Sequence, residues 1–184
     1  MQEQHNNITN GFLSIIGIGV DPNSTEPDFY VLAVDDDSAI TRPITHEGYI
    51  VIFTKIGEAP LVLLLAPPNI IELGPAPNEE ILLIDAIQVL YLLEAQDVDD
   101  KAVLLNFINV TMDFIEAIHY TIPIEYQKIL IDFANHLTIE KEFASFFATH
   151  DVNREKMKNA ITWLIGAIAS NVTVFDEKLL AVAQ

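Results

Sequence analysis

Residues 79–93 read EEILLIDAIQVLYLL. Of the thirteen positions from Ile81 to Leu93, only Asp85 and Gln88 are not apolar. A surface helix carries a polar face, and this segment hardly has one. It reads as a helix enclosed by other elements. Asn78 fits its N-cap, and Glu79 and Glu80 fall in the first turn, where the helix dipole favours anions. Residues 74–77, GPAP, place two prolines in a semi-rigid elbow just before it. The sequence changes character across that elbow.

Before the elbow the pattern is that of strands. Residues 11–20, GFLSIIGIGV, are β-branched, and Gly17 and Gly19 mark a bulge or a close backbone approach. Residues 21–27, DPNSTEP, form a turn. A second strand, 29–34, ends in the carboxylates Asp35, Asp36 and Asp37. A third spans 49–56, and a fourth, PLVLLLA at 60–66, makes a hairpin with it through Gly57, Glu58 and Ala59. Pro67 and Pro68 stop it, and 70–73 reads as a short edge strand. Several runs are apolar on both faces. That predicts a sheet covered on both sides, by helices or by a second subunit.

After the elbow the period becomes 3.6. A helix begins at Asp97, with Asp99 and Asp100 in its first turn. Leu104, Phe107, Ile108, Thr111, Ile115 and Ile118 share one face, and Asp113 and Glu116 lie off it. Pro123 opens a third helix to His136, with Ile129, Leu130, Phe133 and Leu137 as its buried stripe. Thr138 fits the cap of a short helix with Phe143, Phe146 and Phe147 inward. Asp151 or Asn153 fits the cap of a fifth, with Trp163, Leu164, Ala167 and Ile168 apolar. Asp176 fits the cap of a last helix over 177–183, and a strand over 172–175 is equally compatible. The expected fold is α+β: an N-terminal antiparallel sheet of four to five strands, then a layer or small bundle of about five helices. Residues 1–184 read as a single domain with a β-rich part 11–73, the elbow 74–77 and a helical part 78–184.

Apolar residues make up 51% and charged residues 20%, which excludes global disorder. The formal charge is −18, from 9 basic and 27 acidic residues. Nucleic-acid binding draws on Lys and Arg that neutralise phosphates, so this charge argues against it, and against anionic lipid. Arg42 and Arg154 are the two arginines of the chain. With no cysteine, disulfides, thiolate catalysis and zinc–cysteine sites are ruled out. The first residues lack a basic and an apolar region of secretory type, and no apolar run reaches the roughly 18 residues of a membrane helix. A cytoplasmic location with no membrane contact is expected.

Four polar features invite a chemical reading. Glu116 and His119 form an E-x-x-H on one helix face, the spacing used in carboxylate-bridged metal sites. Asp132 and His136, at i and i+4 on the next helix, supply the other half of a mononuclear site. The bland reading is a histidine near a helix end among surface carboxylates. The triple Asp35, Asp36, Asp37 resembles an oxygen-rich cation loop, but the EF-hand spacing fails at Ile40 and His46, so it reads as a solvated strand end. Asp85 must be paired if it is buried, or its pKa must rise. The serines lie in no nucleophile elbow, and Gly17-Ile18-Gly19 lacks the third glycine of a phosphate loop.

The expectation is a non-catalytic protein-binding protein acting through an acidic surface: a regulator, an immunity-like inhibitor or a chaperone-like adaptor. A basic protein partner and a homodimer are expected, with no cofactor and no nucleic acid. The alternative is a small enzyme, or a small-ligand or metal-binding protein, with a pocket between sheet and helices using Asp85, His119 or His136.

Overall fold

A computed structural model describes residues 11–36, 40–95, 100–139, 143–150 and 152–181. Asp37, Asp97, Asp99, Asp151 and the end of the 177–183 helix lie outside the described residues, as does the side chain of Asp36. The fold is α+β, with a seven-stranded sheet. β1 (Gly11–Gly19) and β2 (Phe29–Asp36) form its centre, antiparallel in unbroken register from Gly11↔Asp36 to Ile18↔Phe29. β3 (Thr41–Pro43) pairs with β2, and β4 (Thr45–His46) pairs with β5 (Tyr49–Phe53) through the two-residue turn Glu47-Gly48, both at positive φ. β2 and β5 meet at Tyr30↔Phe53 and Val31↔Ile52, then part, and β3 and β4 fill the fork between them.

Two strands from beyond the elbow complete the sheet. β6 (Leu82–Asp85) lies parallel to β1, and β7 (Val172–Val174) lies parallel to β5. Ile50 donates to the Asn171 carbonyl and Val51 to that of Ile44, so β7 and β4 take opposite edges of β5. The sheet is therefore mixed rather than antiparallel. The 74–77 segment does not separate a β part from a helical part, because strands come from both sides of it.

Period-two alternation sends each strand's side chains into two cores. Ile16, Val31, Ala33, Ile50, Ile52 and Ile84 face one way. They meet α3 (Ala86–Glu94), α4 (Lys101–Ala117) and α7 (Arg154–Ala169), with α5 (Ile124–Ile139) and α6 (Phe143–Thr149) in the same cluster. Ile15, Leu32, Val34, Val51 and Phe53 face the other way, onto α1 (Ala59–Leu63) and α2 (Pro68–Ile71). Each fully buried side chain of this size contributes about 1.5–3 kcal/mol of transfer free energy. The two-sided cover expected from the doubly apolar strands is thus met by helices on both faces.

Several expected elements are different. Residues 79–93 are a strand and a helix, divided at Asp85. Nor is the segment enclosed throughout: Ile81, Leu83 and Tyr91 are exposed, Tyr91 at 70%. Residues 60–63 lie in helix α1 after a 3₁₀ turn over Ile56–Glu58, and 64–66 turn away from it, so 60–66 is not a strand of a hairpin. Pro60 sits in that helix's first turn, where its missing N–H has no intrahelical acceptor to serve. Residues 70–73 run from α2 into a turn rather than forming an edge strand. Thr138 lies inside α5, and its hydroxyl donates to the Ala134 carbonyl instead of capping α6. At the C-terminal end both alternatives occur, β7 and then a 3₁₀ helix over Glu177–Ala181.

Two local contacts hold the frame. A Cβ on Gly17 would meet the Glu80 carboxylate and come within 2.6 Å of the Pro27 ring, so only glycine admits that approach. Arg154 donates to the carbonyls of Leu93 (2.7 Å) and Ala95 (2.8 Å), tying the open end of α3 to α7. Its guanidinium also lies over the rings of Phe143 and Phe147. Among the described residues no helix is long and apolar enough to cross a membrane.

Candidate functional site

A pocket of about 460 Å³ opens where β3 and β4, the chain between α1 and α2, and the last turns of α4 meet. Val34, Ile44 and Ile70 form its apolar inner wall. Arg42, Asp113, Glu116 and His119 bring charge and hydrogen-bonding groups to it.

Asp113 organises the polar side. Its Oδ2 accepts from the Thr41 backbone N–H at 2.9 Å, while the Thr41 hydroxyl donates to Asp35 Oδ1 at 2.7 Å. One threonine thus ties a helix carboxylate and a strand carboxylate together. Burial pushes the Asp113 carboxyl above its usual value of 3.8, and the negative charges of Glu116 and Asp35 push the same way. The Thr41 N–H and the Arg42 guanidinium oppose them without cancelling them. Asp35, Asp113 and Glu116 outnumber Arg42, so the recess is negative.

His119 ends α4. Tyr120 donates to the Ile115 carbonyl (3.0 Å) and His119 to that of Glu116 (2.9 Å), the paired bonds of a Schellman motif. His119 takes its left-handed position at φ 56°, where glycine is the usual residue. The imidazole is exposed and lines the pocket beside Glu116. The E-x-x-H spacing therefore does bring Glu116 and His119 to one recess, but as a helix end rather than as two residues within a helix.

The other sequence-level candidates stand elsewhere. Asp85 is the N-cap of α3, its Oδ1 accepting from Ile87 (2.9 Å) and Gln88 (2.8 Å). Its burial is answered by the helix it starts. Asp132 is half-buried on α5. One turn on, His136 Nε2 is 2.9 Å from Ser145 Oγ, and its ring meets those of Phe146 and His150 edge-on. This serine–imidazole pair links α5 to α6. The four weak metal candidates are split between α4 and α5, and no group of three or more His, Asp or Glu suited to a metal ion occurs among the described residues.

Arg42 and Asp113 line the pocket, and Thr41 holds Asp113 from beside it, yet none of the three stands out as a site residue in the sequence. Asp113 and Glu116 lie three apart on the polar side of α4, which was a legible signal. Their convergence with residues 41 and 42 is a tertiary fact. The chain matches no protein family, no curated protein and no solved structure at a significant level.

Proposed function

We propose that this chain is a non-catalytic binding protein whose acidic surface takes up a basic protein partner, with a Lys or Arg side chain of that partner seated in the polar pocket. The observation that carries this reading is the pocket's charge: Asp113 and Glu116 in its wall, Asp35 behind them, and Arg42 as the cation among the described lining residues. A cation 4 Å from one carboxylate gains about 1 kcal/mol in bulk water and about 4 kcal/mol at the effective dielectric near a protein surface. The wider surface supports it. Twelve Asp and Glu side chains of the described residues are exposed, against four Lys. Such a field speeds the encounter with a basic partner and rejects acidic ones. Regulators, immunity-like inhibitors and adaptors work in this way.

The probe is a short arginine-containing peptide and its glutamine counterpart, titrated against the labelled chain by NMR. The arginine peptide is expected to shift the signals of His119, Asp113 and Thr41. Affinity should rise with pH as Asp113 loses its proton, and fall as salt shortens the Debye length from about 10 Å at 0.1 M to about 3 Å at 1 M. Asp113→Asn with Glu116→Gln should weaken binding about tenfold, which is 1.4 kcal/mol. Equal binding of the glutamine peptide, or unchanged affinity in the double variant, would refute the reading.

A further inference from the structure

A second recess, of about 300 Å³, lies between the sheet and the helices α4 and α7. Ile18, Phe29, Ile52 and Ile84 line it from the strands, and Phe114 and Ile165 from the helices. Thr111 is the one polar side chain in its wall among the described residues, and its hydroxyl proton is already given to the Phe107 carbonyl at 2.6 Å. A volume of this size equals that of about ten waters, yet it offers water almost no partners. Protein interiors rarely keep voids larger than one water. A recess this large and this apolar is the shape of a ligand site rather than of a packing gap.

Its mouth is set by the two exposed residues of the wall, Val20 after β1 and Ala169 at the end of α7. Both sides of that mouth are negative. Asp28 accepts from the N–H groups of Val20 (2.7 Å) and Asp21 (2.9 Å), and those two bonds hold its carboxyl below the usual range, so it is charged at neutral pH. Across from it stands the C-terminal, negative end of the α7 dipole. No Lys or Arg occurs among the described lining residues.

We infer that this recess binds a small apolar molecule or short alkyl chain whose polar end is neutral or cationic. The chain fills the space between α4, α7 and the sheet, and its polar end rests at Val20, Asp28 and Ala169. Carboxylate-ended chains are excluded by the charge at the mouth. This site rests on observations separate from those of the polar pocket, and either can fail alone.

The test uses the whole chain at neutral pH with octan-1-ol, octylamine and octanoate, followed by methyl NMR. Octanol and octylamine should bind saturably and shift the methyls of Ile18, Ile52 and Ile165 but not those of the exposed Leu64 and Ile81. Shortening the chain from eight to six carbons should lower affinity by about fourfold per methylene. Octanoate should bind at least about tenfold more weakly than octanol, as expected for a charge facing like charge. Ala169→Phe, or Val20→Phe on the other side of the mouth, should block binding while the melting curve stays cooperative. No saturable binding by any probe, octanoate equal to octanol, or full binding by both blocked variants would overturn the assignment.

Discussion

α4 forms a wall of both recesses and gives them opposite chemistry. Phe107, Thr111 and Phe114, at helical spacing, point to the sheet and make the apolar recess. Asp113, Glu116 and Ala117, on another flank of the same helix, meet β3 and make the polar one. The apolar flank is deeply enclosed, with Phe114 at 1% exposure. The polar flank lies where the β3 and β4 strands end and solvent reaches the carboxylates. One helix thus separates a region governed by packing from a region governed by charge. The difference lies in what each flank faces, not in the helix.

The largest test of that contrast is Phe114→Ala against Glu116→Ala. Loss of a buried phenylalanine should reduce stability by about 3–5 kcal/mol, whereas the exposed glutamate should matter by about 0.5 kcal/mol or less, both read from urea denaturation. Similar losses would mean that the polar flank is as structural as the apolar one. A smaller effect of the opposite sign is expected at the helix end. His119→Gly removes the left-handed strain of φ 56° and should stabilise the protein by about 1 kcal/mol. A loss instead would show that the imidazole itself holds the pocket wall.

The smallest effect is a pH dependence at Asp113. Its carboxyl titrates above its usual value of 3.8, so the folded state favours the protonated form. That contribution to stability is full below the usual value and is lost as pH rises through the folded value. Asp113→Asn should gain melting temperature relative to the parent across that window and hold a constant lead above it. A lead that does not change with pH would place the cost in geometry, not in charge facing Glu116, Asp35 and Arg42.

The sequence carried the strongly periodic elements better than the short apolar runs and the tertiary convergences. β1 and β2 were legible because their runs are β-branched and bounded by turn residues. The buried face of α4 was legible because seventeen residues hold one period. Residues 60–66 were misread because a short run apolar on all sides fits a buried strand and a buried helix alike. Residues 79–93 do carry the signal that divides them. Asp85 and Gln88, treated as two interruptions of one helix, are the N-cap and N3 of a shorter one, the D-x-x-Q pattern of a helix start. Of the polar pocket's lining, Glu116 and His119 were legible as a pair from their spacing. Arg42 and Thr41 were not, because nothing in local sequence says that β3 folds against residue 113.

β7 has a consequence for how the protein is made. Its partner β5 leaves the ribosome more than a hundred residues earlier, and through that interval the β5 backbone on that side has no strand to pair with. A chain truncated before Val172 would keep this flank open, and open strand flanks recruit other chains. Nascent or nicked molecules that lack β7 should therefore clump where the chain with β7 does not, and holdase chaperones should bind them until β7 arrives.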